Sequence, residues 1–371
     1  MTKHRVLHLR AGSFFGGPER QLRQHAQSMA DSDFELTVAA FSEAGQRPAF
    51  LDELAGAGIK VAHLPTSSSY DISAFGLLRR FVDENNFDIV CTHDYRTRFI
   101  TRFARLRPGV RWLAVSRGGT SENLKVSFFN AIDRKLIRAA DKIVAVSHDL
   151  KEQMLRSGIP ENKIVVIQNA IDAEFHASQQ PVDLRKRFNL SDDSIIAVAA
   201  GRFSSEKGQR YLIEEAVTAC HTVPHLHLIL FGNGPDLQEM KDLSLQLGIA
   251  GRITFPGFEK NFTPCLKGAD ILVNPSRSEG LPNIVMEAMA VGLPVIATAV
   301  GDVPKLILPD QTGILIEYGQ PEVLSRALIK LAEDKRLRTD LAKAAGKYIR
   351  ERFSVERQTA EWTALYREML Q

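Results

Sequence analysis

The sequence holds 371 residues, 44% hydrophobic, 25% charged and 8% aromatic, with a formal net charge of +3. At about 150 residues per domain the length predicts two domains rather than one, and the composition excludes a disordered, fibrous or disulfide-stapled chain. Cys91, Cys220 and Cys265 are widely spaced with no CxxC pair, so they read as small core residues rather than a zinc or redox motif.

No apolar run approaches the roughly 18 residues of a membrane span, and the first, at positions 6–9, is too short for a leader sequence. The chain is expected in the cytosol. Along it, short apolar β-rich runs alternate with helical stretches, the pattern of parallel sheets built from βαβ units. In the first half strands are predicted at 5–9, 35–41, 60–65, 88–93, 110–116, 142–147 and 163–169. The second half restarts the pattern with strands at 195–201, 226–232, 252–257, 271–275, 294–299 and 313–317. These continuous apolar runs suit strands covered on both faces. The polar stretch 173–193 is the best boundary, and the expected architecture is α/β: two Rossmann-like domains in tandem. After Gln320 come three predicted helices, at 321–333, 336–352 and 355–370. The last carries Trp362, Leu365, Tyr366 and Met369 at i, i+3, i+4 and i+7, an apolar stripe that requires a partner.

Open parallel sheets bind ligands at the carboxyl ends of their strands, which directs attention to four places. After the first strand come Gly12 and then Gly16-Gly17-Pro18-Glu19-Arg20; the glycine pair lets backbone approach a ligand, and Pro18 suits a first helical position with amides aimed at an anion. A plain glycine turn is the alternative. Opening the second half, Arg202 and Lys207 in GRFSSEKG place two cations over the sheet crevice, where they can hold a diphosphate or merely face water. In the segment 274–290, Glu279 and Gly280 lie in a loop, Pro282 starts a helix, and Glu287 follows about 7.5 Å along its axis with its side chain tilted back. Two carboxylates there suit sugar or ribose diols. A surface acid is the alternative for each, but Glu287 sits among apolar neighbours, where acids are rarely left unpaired. Finally, His93-Asp94-Tyr95 ends the strand predicted at 88–93 and offers either a base or a structural histidine.

Other patterns carry less. Gly232-Asn233-Gly234 lacks the third glycine of GxGxxG and reads as a tight turn, which disfavours a dinucleotide dehydrogenase. Asp31-Ser32-Asp33 has DxD spacing but precedes its strand, at the wrong end for a ligand. No metal and no other cofactor is predicted. Residues 1–140 hold 20 Lys+Arg against 14 Asp+Glu, and seven arginines from Arg96 to Arg117 occur with no acid between Tyr95 and Ser121. In that run Phe99, Phe103 and Leu106 recur at helical spacing; the simplest reading buries them in the core and leaves the arginines in water. The sharper reading is contact with an anionic membrane surface or a lipid-linked acceptor. Nucleic acid is not an expected partner.

Taken together, GGPER, GRFSSEKG and the Glu279-x7-Glu287 spacing inside SEGLPNIVMEAMAVGLPVIAT resemble glycosyltransferase family 4, the retaining GT-B enzymes, over nearly the whole chain. The resemblance implies two Rossmann-like domains facing each other across a cleft: 1–175 for the acceptor, with 354–371 packing back on it, and 176–353 for a nucleotide-sugar donor. It implies a UDP-sugar as the commonest donor, a glycan or lipid-linked acceptor, and a role in cell-envelope polysaccharide or lipopolysaccharide synthesis, with peripheral attachment at the inner face of the membrane. By the same resemblance Arg202 and Lys207 hold the diphosphate, Glu279 the transferred sugar and Glu287 the ribose. Gly280, Leu281, Pro282 and Asn283 add donor contacts, Gly16 and Gly17 lie near the phosphates, and His93, Asp94 and Arg117 serve the acceptor. The chain departs from the family pattern at Arg117-Gly118, where many members have His-Gly, at Asn169-Ala170 in place of Asn-Gly, and at Lys305 in place of Glu. A GT-B epimerase, a phosphorylase and a non-catalytic nucleotide-sugar-binding protein remain alternatives.

Overall fold

The structure is a computed structural model that describes residues 3–11, 16–43, 46–68, 71–117, 132–133 and 135–371. Gly12, Gly118 and most of the segment that follows Arg117 lie outside the described residues. Two compact units form, one from residues 1–170 with 355–371 and one from 171–354. The boundary expected at 175/176 falls instead at 170/171, and Ser354 stays with the second unit. There Ile171 donates its N–H to the Phe353 carbonyl at 2.9 Å, and Ile171 and Ala173 pack with Val285 and Met289.

The first unit is built on a seven-stranded parallel sheet of β1 (His4–Arg10), β2 (Phe34–Glu43), β3 (Lys60–Thr66), β4 (Ile89–Thr92), β5 (Arg111–Ser116), β6 (Lys142–Ala145) and β7 (Ile164–Val166), in the order β3-β2-β1-β4-β5-β6-β7. The second has a six-stranded parallel sheet of β8 (Ile195–Ala200), β9 (Leu226–Phe231), β10 (Ile253–Gly257), β11 (Ile271–Asn274), β12 (Val295–Thr298) and β13 (Ile314–Ile316), in the order β10-β9-β8-β11-β12-β13. Each run of strands predicted from the sequence is present, shortened or extended at its ends. Successive residues of a strand face opposite sides, so Ala197 and Ala199 enter one apolar cluster while Ile196 and Val198 enter the other. Both faces are covered, as all-parallel sheets require.

Strand order places a ligand crevice in each unit. The connections run one way from β1 to β2 and the other way from β1's neighbour β4, and likewise from β8 and its neighbour β11. The carboxyl ends of those central pairs are topological switch points. The C-terminal helix Val355–Leu370 belongs to the first unit, with Trp362, Leu365, Tyr366 and Met369 buried beside Val6, Ile89 and Cys91. The three cysteines are free and buried.

The helix Tyr95–Phe103 corrects the simplest reading of the arginine run. Its buried face is Thr97, Ile100, Thr101 and then Ala104, whereas Phe99 and Phe103 are 41% and 48% exposed. Arg98 is the arginine that goes inside, at 4% exposed, because Asp133 meets its guanidinium at 2.5 Å and the Val115 carbonyl accepts a second N–H at 2.6 Å. Two hydrogen-bonded acceptors make a buried cation tolerable.

Candidate active site

In the second unit, the loops after β8 and β11 interlock at the switch point. Gly208 has φ of +69°, and a Cβ there would stand 2.0 Å from the Pro275 carbonyl oxygen. The Arg277 N–H donates to the Glu206 carbonyl at 2.8 Å. This close approach brings Lys207 to Glu279: Nζ donates to Oε1 at 2.8 Å, and the Ser276 hydroxyl donates to the same oxygen at 2.7 Å. A third loop, after β12, holds Gly280 in place, since the Asp302 N–H donates to its carbonyl at 3.0 Å. Gly301 (φ +55°) leaves room for the Glu279 carbonyl, which a Cβ would meet at 2.0 Å.

Helix Asn283–Ala290 starts one residue later than expected, with Pro282 as its N-cap. Leu281 and Pro282 are buried and Asn283 is half-buried. Glu287 lies in the interior of this helix and is only 6% exposed, so its carboxylate is part of the packed structure rather than a surface acid. Arg202 is exposed in the loop after β8, and its carbonyl accepts from Gln209. Asn274, at the end of β11, keeps a buried Nδ2 with no hydrogen-bond partner, and a small cavity beside it is lined by Lys207, Gln209, Pro275 and Ser276. Such an amide is satisfied by water or by a polar ligand.

The first unit's switch point is also polar, but its groups are differently committed. Gly16 caps the helix Gly17–Ser28, and its N–H donates to the Glu19 carboxylate at 2.9 Å. Glu19, 3% exposed, also takes an N–H from Arg10 at 2.7 Å. Gly16 was expected to turn its amide toward an anion; the chain's own acid fills that position, because the third helical residue reaches back to the cap. Gly17 follows as the first helical residue. Asp94 holds backbone in the same way. It caps the helix Tyr95–Phe103 by accepting the Thr97 N–H at 2.9 Å, and its other oxygen accepts the Ala11 N–H at 2.7 Å. Both carboxylate oxygens serve local backbone.

His93 is 6% exposed and belongs to a buried chain that sequence reasoning missed. His8 Nδ1 lies 2.9 Å from His93 Nε2, His8 Nε2 lies 3.0 Å from the Tyr366 hydroxyl, and His25 Nε2 lies 2.9 Å from the same hydroxyl. Burial, first, and the cation of Arg117, in lesser part, push the His8 imidazole down to about 3; burial foremost, then His8 and then Arg117 drive His25 and His93 well below the usual range, with Arg10 and Arg98 adding to the effect on His93. Arg117 donates to Asn169 Oδ1 at 3.3 Å, and burial together with neighbouring Arg10 lowers its guanidinium to about 10. The available signal was His8 itself, a polar residue sharing a strand face with apolar Val6.

Comparison with known proteins covers both halves of the chain. The model for glycosyltransferase family 4 matches residues 15–175, and that for glycosyl transferases group 1 matches residues 182–348. The chain belongs to glycosyltransferase family 4. One relative within reach is the N-acetyl-alpha-D-glucosaminyl L-malate synthase of Bacillus anthracis, 27% identical over 241 residues, which are 65% of this chain and 63% of that protein. Another is the UDP-Gal:alpha-D-GlcNAc-diphosphoundecaprenol alpha-1,3-galactosyltransferase of Escherichia coli, 23% identical across 90% of this chain and 89% of its own. Among solved structures, Anabaena Alr3699/HepE in complex with UDP and glucose superposes with a TM-score of 0.84 at 19% identity, covering 98% of this chain and all of that one. The family member described here therefore has the GT-B fold. Among its described residues no helix is long and apolar enough to cross a membrane.

Proposed function

We propose that this glycosyltransferase moves a sugar from a UDP-sugar to a hydroxyl of a glycan or lipid-linked acceptor in cell-envelope assembly, with retention of anomeric configuration. The observation that carries the reading is the Lys207–Glu279 pair at the second unit's switch point, next to the N-terminus of the helix that buries Glu287. Supporting the donor and acceptor classes, the Escherichia coli relative is named for a UDP-galactose donor and a lipid diphosphate acceptor, and HepE is complexed with UDP.

In this reading Lys207 and Arg202 hold the diphosphate, and amides of Gly280 to Asn283 add donors at a helix N-terminus. Glu279 accepts hydrogen bonds from the transferred sugar and Glu287 from the ribose diol. As the anomeric C–O bond to phosphate breaks, negative charge grows on the leaving diphosphate, where the two cations stabilise it more than in the ground state. The acceptor oxygen bonds the anomeric carbon on the same face, and its proton passes to the departing phosphate oxygen. No protein base and no metal is assigned. Acceptor contacts fall to the first unit, from His93 and Arg117.

Attachment to an anionic membrane surface is part of the proposal, supported by the exposed rings of the helix Tyr95–Phe103. Phe99 and Phe103 pack in a tilted pair with ring centroids 4.9 Å apart, Phe75 lies about 6 Å from both, and the exposed Arg102 guanidinium stands 5.7 Å from the Phe103 ring. Exposed aromatics beside arginine suit a lipid headgroup layer.

The deciding experiment is a thermal-shift screen against UDP-, GDP- and ADP-sugars, followed by transfer assays whose product anomer is read by NMR. A UDP-sugar should raise the melting point and the product should keep the donor's anomeric configuration; binding without transfer across acceptors would favour a non-catalytic sensor. Co-sedimentation with anionic vesicles should be lost in Phe99→Ser/Phe103→Ser, and sedimentation indifferent to lipid charge would remove the membrane element.

A further inference from the structure

The charges at the first unit's switch point do not pair off evenly. Glu19 takes the Arg10 Nε–H at 2.7 Å and the Gly16 N–H at 2.9 Å, and Asp94 takes the Thr97 and Ala11 amides at 2.9 and 2.7 Å, so all four carboxylate oxygens of these two acids are committed. Arg10 is compensated by Glu19, with Asp94 a further 3.9 Å from its Nη1. Arg117, which directly follows β5, is placed differently. Among the described residues it forms no ion pair; its Nη1 donates to the neutral amide oxygen of Asn169 over a long 3.3 Å, and its Nε is buried without a hydrogen-bond partner.

A cation held in this position costs free energy unless an anion faces it. The surroundings add to the cost, because burial and then Arg10 depress the Arg117 guanidinium more than Glu19 raises it. His8, His25 and His93 supply no negative charge, and the side-chain amides of Gln21 and Gln358 donate to the Ala170 and Gln168 carbonyls. All of these residues line one partly open cavity of about 20 Å3 together with Arg117. That volume admits one oxygen-sized atom, so a larger oxyanion would insert a single oxygen and keep its remainder at the mouth. A guanidinium is the side chain best matched to carboxylate and phosphate oxygens.

We infer that Arg117 is the anchoring cation of an oxyanion subsite at the carboxyl end of β5, which receives one oxygen of a phosphate or carboxylate group carried by the acceptor. Assignment to the acceptor rests on the function proposed above; oxyanion binding itself does not. The strand end is where an open parallel sheet takes its ligands, and a buried cation there selects anionic acceptors over neutral ones.

The test uses Trp362, which lines the same cavity and is one of the chain's two tryptophans. Its indole N–H signal, told apart from that of Trp112 by Trp112→Phe, is followed in 1H–15N spectra of the full chain at neutral pH. Inorganic phosphate or acetate replaces chloride through the millimolar range at constant ionic strength. A saturable shift of the Trp362 signal is expected with at least one of the two anions, and the tighter one names the acceptor's group. The affinity should be at least about tenfold weaker in Arg117→Met and unchanged in Lys207→Ala, where the altered cation belongs to the other unit. No saturable shift with either anion, equal affinity in folded Arg117→Met, or loss of the response in Lys207→Ala overturns the proposal; the wild-type titration alone suffices if a variant does not fold. In the transfer assay Arg117→Met should raise the acceptor KM with little change in kcat, and an unchanged KM would overturn the assignment to the acceptor. A UDP-sugar that fails to bind leaves the anion titration unaffected, and absent anion binding leaves the UDP-sugar thermal shift unaffected.

Discussion

Lys207 Nζ lies 2.8 Å from Glu279 Oε1, joining loops that follow two neighbouring strands although the residues are 72 apart in sequence. The Glu279 side chain is 10% exposed, so its charge is compensated by this cation and by the Ser276 hydroxyl. Removing Lys207 takes away that compensation and, in the proposed mechanism, a stabiliser of the leaving diphosphate. Lys207→Ala is expected to lower kcat by about 100- to 1,000-fold, the scale of a lost transition-state donor. Steady-state kinetics with the donor identified by the screen measures it; kcat within a few-fold of wild type would separate Lys207 from the chemistry.

Glu287→Gln keeps the volume of a side chain that is 6% exposed but weakens its acceptor strength toward a diol. Charge-assisted hydrogen bonds contribute about 1.5 to 3 kcal/mol, so UDP affinity should fall roughly 10- to 100-fold with little change in melting temperature. Isothermal titration with UDP checks this, and undiminished affinity would move the ribose elsewhere.

Gly208→Ala should cost more than about 2 kcal/mol, because it combines a left-handed φ of +69° with a contact of 2.0 Å to the Pro275 carbonyl. Gly251, whose added Cβ would meet open space, is the control, and its alanine variant should change stability by less than about 1 kcal/mol. Urea unfolding of the two variants distinguishes a site-building glycine from an incidental one.

Acid should destabilise the first unit. His8, His25 and His93 are depressed in the folded state relative to about 6.5 in the unfolded chain, so below pH 6.5 the unfolded state binds protons that the folded state refuses. Their stabilisation is complete above that value and declines as pH falls toward the folded pKa values. Each histidine contributes about 1.4 kcal/mol per pH unit in that window, or up to about 4 kcal/mol for three between pH 7.5 and 5.5. Urea midpoints at the two pH values measure the difference, and a flat profile would show that all three rings charge in place.

The buried chain of His93, His8, Tyr366 and His25 ties the end of the sequence to the first unit's sheet. Tyr366 reads from its spacing as one more apolar position on a helix stripe, and it is fully buried as that reading requires. Its hydroxyl, however, meets two histidines from other elements. The same limit explains the arginine run. Phe99 and Phe103 fit a helical period as well as Thr97, Ile100, Thr101 and Ala104 do, and the choice between the faces fell to Asp133 and the Val115 carbonyl, which secure Arg98 inside. Glu19 and Asp94 are likewise taken up locally, since each accepts a backbone N–H at a helix start.

What the sequence by itself determined is local and periodic: alternating short apolar runs set the parallel strands, the polar stretch after them marked the change of unit to within a few residues, and the spacing of Glu279 and Glu287 placed both on one loop and helix. Burial of apolar side chains acts along each segment with the period of its own backbone, so a linear reading suffices. Only the tertiary structure decided which polar groups meet. Lys207 with Glu279, His8 with His93, and Tyr366 with His25 are brought together by strand order and by a returning terminal helix, and hydrogen-bond partners chosen across such distances leave no period in the chain.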